Sequence, residues 1–251
     1  MCFLELLESA LDDLVANDDR PVVVTSAMWP IFRALKRADQ TAVDDVLNLL
    51  ISRFSRRGLL MPSFSSGFDN HGRCDLDRTP SKSGILSETM RSRKDVVRTL
   101  SAWFSFTVMG SCVTEVSELM PVEAWGEGSL YEWMEYNNVC FLALGTHPTH
   151  FFYPHRLEWL AKDILTYRFN KTISGVLARN GKEYKVNETL FVRKRHPVEK
   201  FNDFTKLMPF LKESGMRTTS VLGVNLGVYN VRPFQDLVLP RLMKDEGLLL
   251  R

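Results

Sequence analysis

Apolar positions recur along this chain with two periods that take turns. In FLELLESALDDLVAN the leucines return every third or fourth residue, which sets them on one stripe of a helix. The run DRPVVVTSAMW that follows is continuous, β-branched and introduced by a proline, the pattern of a buried strand. AVDDVLNLLISRFSRRG restores the helical period and stops at Gly58, a good C-cap, before the short strand LLMPSF. Between Ser63 and Ser83 neither period is present, which predicts a long loop of the kind that carries function or stays disordered. GILSETMRSRKDVVRTL predicts a short helix with a basic outer face, SAWFSFTVMG a strand, and NNVCFLALG a strand ending at Gly145. From about Asp163 the pattern alternates, and YRFNKTISGVLARNGKEYKVNETLFVRK reads as a β-hairpin insertion turning at RNGK. In the tail, VEKFNDFTKLMPFLKES reads as an amphipathic helix, TTSVLGVNLGVYNV as strand-like, and RPFQDLVLPRLMKDEGLLL as a closing helix.

This alternation predicts an α/β fold whose ligands sit at the carboxyl ends of the strands. A chain of 251 residues with 45% hydrophobic content can bury a full core, and one domain over residues 1–251 is expected. No run of about eighteen apolar residues occurs, and the N-terminal apolar stretch carries acidic rather than basic residues, so neither a membrane span nor a signal peptide is expected. A net charge of +2 makes no global demand for nucleic acid or membrane, so any preference for an anionic ligand must come from local clusters. Cys2, Cys74, Cys112 and Cys140 are far apart without a CxxC pair, which argues against a zinc knuckle or disulfide scaffold and suits free thiols in a reducing cytoplasm.

Candidate chemistry concentrates in GTHPTHFFYPHRLEW, which holds His147, His150 and His155. Pro154 suits the first turn of a helix, and His155 and Glu158 then lie a turn apart on one face. A carboxylate there can orient the ring for general-base work; the same spacing also suits a capping histidine beside an exposed ion pair. A metal site is not expected, because there is no HExxH pattern and no cysteine pair. In WGEGSLYEW, Gly126 and Gly128 around Glu127 and before Ser129 would let backbone amides approach a thioester or pantetheine; a turn with Ser129 capping the next helix fits as well. Thr25 and Ser26 end a strand before a helix, where hydroxyls and amides suit phosphate oxygens or an N-cap. The run Arg193, Lys194, Arg195, His196 is either a solvated face or the lining of a site for a phosphorylated ligand.

Taken in order, LLMPSF, TPSKSGILSE, Arg91, Arg98, GEGS, NNVCFLALG and the HxxE of His155 and Glu158 resemble the aminoglycoside 3-N-acetyltransferase family, from about Pro21 onward. The resemblance implies a three-layer α/β/α sandwich and transfer of an acetyl or longer acyl group, such as 3-hydroxyacyl, from coenzyme A to an amino group on a sugar, without a metal. It further implies His155 as general base, Glu158 as its orienting carboxylate, and Thr25, Ser26, Gly126, Glu127, Gly128 and Ser129 along the coenzyme A groove. Acceptor contacts carried over in the same way are Ser63, Ser101, Ser105, His147, Thr149, His150 and Arg156, and a homo-oligomer is expected because family members often are. One departure stands out: the family's RSxHPxxS reads here RTLSAWFS, so Ser101 and Ala102 replace His and Pro while Arg98 and Ser105 match. Aminoglycosides are polycations that call for an acidic pocket, whereas this chain has Arg156 and Arg193 to Arg195 near the expected site. A nucleotide-linked deoxyamino sugar is therefore the expected acceptor. An aminoglycoside resistance enzyme and a non-catalytic binding homologue are the alternatives.

Overall fold

Side chains alternate along each central strand, and that alternation sets the layers. The computed structural model describes residues 2–15, 18–195 and 200–251. In chain order the elements are α1 Phe3–Val15, β1 Val22–Ser26, α2 Met28–Leu35, α3 Gln40–Phe54, β2 Leu59–Pro62, β3 Arg73–Asp75, α4 Ile85–Arg91, β4 Val97–Arg98 and β5 Phe106–Met109. There follow α5 Val113–Val116, α6 Leu130–Tyr136, β6 Cys140–Leu144, α7 Pro154–Leu160, β7 Arg168–Arg179, β8 Lys182–Arg193, α8 Met208–Glu213, β9 Arg217–Val221, β10 Val224–Asn230 and α9 Val231–Leu242. Seven strands form one sheet in the order β4-β5-β2-β1-β6-β10-β9. Its centre is parallel, β1 pairing with β2 and β6, and its flanks are antiparallel.

In β1, Val22 and Val24 face one core and Val23 the other; in β6, Cys140, Leu142 and Leu144 oppose Phe141. Helices α1 to α4 cover the first face, through residues such as Leu7, Ile31, Leu47 and Leu86, while α6, α7, α8 and α9 cover the second through Tyr131, Leu157, Leu211 and Phe234. This is the expected three-layer α/β/α sandwich around a mixed sheet. Among the described residues no helix is long and apolar enough to cross a membrane.

The expected hairpin is β7 and β8, paired from Arg168↔Arg193 to Arg179↔Lys182. Its turn residues Asn180 and Gly181 both have positive φ, 50° and 73°, which asparagine and glycine tolerate best. The hairpin carries β3, an unexpected strand inside the Ser63–Ser83 loop, as a parallel third strand.

Four expectations are corrected here. The single strand read in TTSVLGVNLGVYNV is a hairpin, β9 and β10, and its turn at Leu222-Gly223 went unseen because leucine with φ 48° is not a turn signal. Val198 and Glu199 of the helix read in VEKFNDFTKLMPFLKES lie outside the described residues, and of the rest the helical part is a 3₁₀ turn, Phe204–Leu207, followed by α8; Asp203 caps it by accepting from Thr205 N at 3.1 Å. Upstream, Asn202 bridges Leu250 in antiparallel fashion, so long-range pairing overrides local helical period. The closing helix stops at Leu242, short of GLLL, and of SAWFSFTVMG only Phe106–Met109 is strand.

Candidate active site

The carboxyl ends of β1 and β6 lie side by side, in register at Ser26↔Leu144. Gly145 has φ +68°, and a Cβ there would stand 2.6 Å from the Ala27 carbonyl, so the crossing admits only glycine. The loop from Gly145 leads into α7, whose first turn holds Pro154. One turn later the helix aims Glu158 into the core with no exposed side-chain surface, while His155 stays about one quarter exposed, at 26%.

His155 Nδ1 lies 2.7 Å from Glu158 Oε2. The opposite oxygen, Oε1, accepts from Tyr167 Oη at 3.0 Å, Arg168 Nε at 2.9 Å and Asn202 Nδ2 at 2.7 Å, and Arg168 Nη2 stands 2.7 Å from Oε2. Burial alone would raise the pKa of this carboxyl, but the hydrogen bond and charge of His155, the Arg168 guanidinium and the Asn202 amide together bring it down to about 2. An ionised carboxylate only accepts, so Nδ1 carries a proton toward Glu158 and Nε2 is the nitrogen left for a partner outside the pair. Burial pushes the Tyr167 hydroxyl far up, so it remains a donor to Glu158.

His155 opens on a pocket of about 1010 Å³. The Trp125 and Phe204 rings flank the imidazole at centroid distances of 5.6 and 5.4 Å. Phe104, Phe169, Phe191 and Phe201 add aromatic wall, and Lys171, Arg193 and Arg195 add positive charge; among the described residues no acidic side chain lines it. Such a pocket offers aromatic faces to a planar group and cations to phosphate oxygens. In a second cavity, about 730 Å³ beside α1 and α3, Arg53 pairs with Asp12 at 2.8 Å and Arg57 with Asp18 at 3.9 Å.

Of the residues singled out in the sequence, the structure brings His155, Glu158, Arg193 and Arg195 together, and His196 lies outside the described residues. Arg156 points the other way and is buried: it donates to the Trp125 carbonyl at 2.6 Å and to Glu135 at 2.9 Å, so it braces α7 rather than lining the pocket. Ser63 and Ser105 are wholly buried in a clamp, where Arg98 donates to Ser105 Oγ at 2.9 Å and to the Ser63 carbonyl at 2.6 Å. The Arg98 and Ser105 of the sequence pattern are thus bonded to each other. Ser101 sits behind Phe104, donating to the buried Glu188 and accepting from the Phe104 amide at 2.9 Å. His147 and Thr149 bond each other at 2.7 Å, and His150 bonds Thr146 at 3.2 Å, within the loop before α7.

Thr25 is buried at the end of β1 and Ser26 half-buried; neither lines the pocket. Ser129 caps α6 by accepting from Glu132 N at 3.2 Å, and Glu132 returns a bond to Gly128 N at 2.7 Å. Gly126 N and Ser129 N also donate inside this turn, so three of its four amides are already engaged and do not form an oxyanion hole. Gly126 is glycine because a Cβ would meet Glu123 Cβ at 2.7 Å, and Gly128 because φ is +68°.

Tyr167, Arg168, Asn202, Trp125 and Phe204 were not foreseen. Tyr167, Arg168 and Asn202 reach Glu158 from the start of the hairpin and the segment after it, and Trp125 and Phe204 reach His155 from the loop before α6 and the 3₁₀ turn before α8, with no local pattern joining them.

The chain is a mixed-sheet α/β/α domain with a histidine, held by a buried carboxylate, at the wall of a basic pocket. Residues 32–242 match the family model for aminoglycoside 3-N-acetyltransferase, and the chain belongs to that family of coenzyme A-dependent N-acyltransferases. Its fold is similar to that of AAC-IIIb in a binary complex with CoASH, with a TM-score of 0.78, 16% identity and 97% of both chains covered. It is similar also to AAC-VIa bound to sisomicin, with a TM-score of 0.77, 15% identity and 97% of this chain and 98% of that one covered. The YokD protein from Bacillus subtilis gives a TM-score of 0.73 at 15% identity, covering 98% of this chain and 100% of that one. No curated protein matches the chain by sequence.

Proposed function

We propose that the protein transfers an acetyl or short 3-hydroxyacyl group from coenzyme A to the amino group of a nucleotide-linked deoxyamino sugar, with His155 as general base and Glu158 as its orienting carboxylate. The observation that carries this reading is the 2.7 Å hydrogen bond from His155 to a fully buried Glu158, at the wall of a pocket whose charges are all basic apart from that hidden carboxylate.

A sugar amine is mostly ammonium at neutral pH and attacks only after losing a proton. His155 Nε2 takes that proton, directly or through one water, as the nitrogen attacks the thioester carbonyl. The tetrahedral intermediate collapses and the C–S bond breaks; the amide forms as the nitrogen gives up its second proton, which leaves with the coenzyme A sulfur or to water. No covalent enzyme intermediate is needed. An acyl-cysteine is disfavoured because burial pushes the Cys112 and Cys140 thiols up to about 12, and a thiol in that state is a poor nucleophile. Thr25, Ser26 and the Gly126–Ser129 turn are assigned to the coenzyme A groove by the family pattern. For the acceptor, Lys171, Arg193 and Arg195 suit a diphosphate, and the exposed rings of Phe169 and Phe201 suit a nucleobase.

The second reading is an aminoglycoside acetyltransferase, favoured by the family and by a sisomicin-bound neighbour in fold. Thiol release from acetyl and 3-hydroxybutyryl coenzyme A, with nucleotide amino sugars and gentamicin-class acceptors, separates the readings. Release dependent on a nucleotide amino sugar supports the proposal. Release with aminoglycosides alone replaces it with the second reading, and no acceptor-dependent release with either panel overturns both.

A further inference from the structure

We infer that Arg168 is a positioning residue of the acyl transfer, one that sets the charge felt by His155 as well as the posture of Glu158; the inference rests on the reading of His155 as the base. Arg168 opens β7 with its side chain only 5% exposed. Its Nε and Nη2 form a fork on the two oxygens of Glu158, at 2.9 and 2.7 Å. Nη1 donates to the Phe191 carbonyl at 2.7 Å across the hairpin, and Nη2 to Asn202 Oδ1 at 3.0 Å. With every nitrogen engaged, the guanidinium is fixed in place.

The same Nη2 lies 3.4 Å from His155 Nδ1. That ring nitrogen already carries the proton donated to Glu158, so the approach sets a permanent positive charge beside the imidazole. A lone carboxylate bonded to a histidine stabilises the imidazolium. Here the same carboxylate oxygen meets His155 and Arg168 at equal distances, 2.7 Å each, and its charge is neutralised by the arginine. The dyad therefore fixes tautomer and ring orientation while the guanidinium opposes the carboxylate's pull on the ring. A general base acts only when unprotonated, so a fixed cation at this distance works in the base's favour. The other titratable or charged groups around the ring are Tyr167, bonded to Glu158, and the pocket cations Lys171, Arg193 and Arg195. Among the described residues that line the pocket or bond the pair, Glu158 is the sole carboxylate, and Arg168 forks onto both its oxygens.

The test uses the full chain with Arg168→Gln, Arg168→Lys and the double variant Glu158→Gln/Arg168→Met, each shown folded by cooperative thermal unfolding. The readouts are the acid limb of kcat/KM against pH and the NMR titration of the His155 ring. Arg168→Gln is expected to move both upward by about 1 pH unit or more, the scale of removing a fixed charge at this distance. Arg168→Lys keeps the charge and moves them much less, and the double variant, which removes both charges, returns them toward the wild-type positions. Loss of kcat at every pH with neither readout moved would make Arg168 a structural brace and overturn the inference. Should Arg168→Gln not fold, Glu158→Gln decides by NMR: it leaves Arg168 unopposed and should move the titration downward, and an unmoved midpoint overturns the inference. A fully active His155→Ala protein would sink the general-base reading instead, so the two failures are told apart.

Discussion

Glu158 accepts from four side chains, His155, Tyr167, Arg168 and Asn202, with none of its own surface exposed. Removing one partner of a buried ion pair leaves the other charge unpaired, so Glu158→Ala should destabilise the fold by about 3–5 kcal/mol in chemical denaturation. The pH dependence has a definite sign. The folded-state pKa of Glu158, about 2, lies below the ordinary 4.5, so its contribution is whole above about 4.5 and is lost as pH falls toward 2. Acid unfolding should therefore be steep between these values in the wild type and shallower in Glu158→Gln. His155 and Glu158 were legible in the sequence because a three-residue spacing after a helix-starting proline puts them on one face. Arg168 and Asn202 were not, because their meeting with Glu158 depends on where the hairpin and the segment after it return. Arg156 was misread: the residue next to His155 in sequence points about 100° away from it on a helix.

At the scale of elements, α6 shows how a motif can be real yet serve structure. GEGS ends in Ser129, which caps α6, and Glu132 answers to Gly128 N, so this turn fixes the loop that carries Trp125. Ser129→Ala should lose about 1 kcal/mol of stability, measured by denaturant unfolding, the usual scale of a lost N-cap. The helices and the central strands were legible because each has a clean period, and the β7–β8 hairpin because Asn180-Gly181 announces its turn. What escaped was long-range. β3 joins β7 across a polar loop, and Phe201 to Lys206 is held by the chain's last residues, with Asp203 N donating to the Leu249 carbonyl at 2.7 Å and Lys206 Nζ to that of Leu250. That clasp brings Asn202 and Phe204 to His155.

Over the whole molecule the net charge is only +2, so attraction of an anionic substrate is local rather than global. Under the proposed function it would come from the pocket cations Lys171, Arg193 and Arg195. Lys171→Ala/Arg195→Ala, both changes at exposed positions, should raise KM for a nucleotide amino sugar about 5- to 10-fold with kcat little changed, and should flatten the rise of KM with salt. An equal fall in kcat would place these residues at the transition state instead. The central claim, that His155 is the base, is tested most directly by single-turnover acyl transfer in His155→Asn with coenzyme A binding measured alongside. A rate lowered about 10²- to 10⁴-fold with unchanged coenzyme A affinity is the predicted result; a near-normal rate in a folded protein would contradict it.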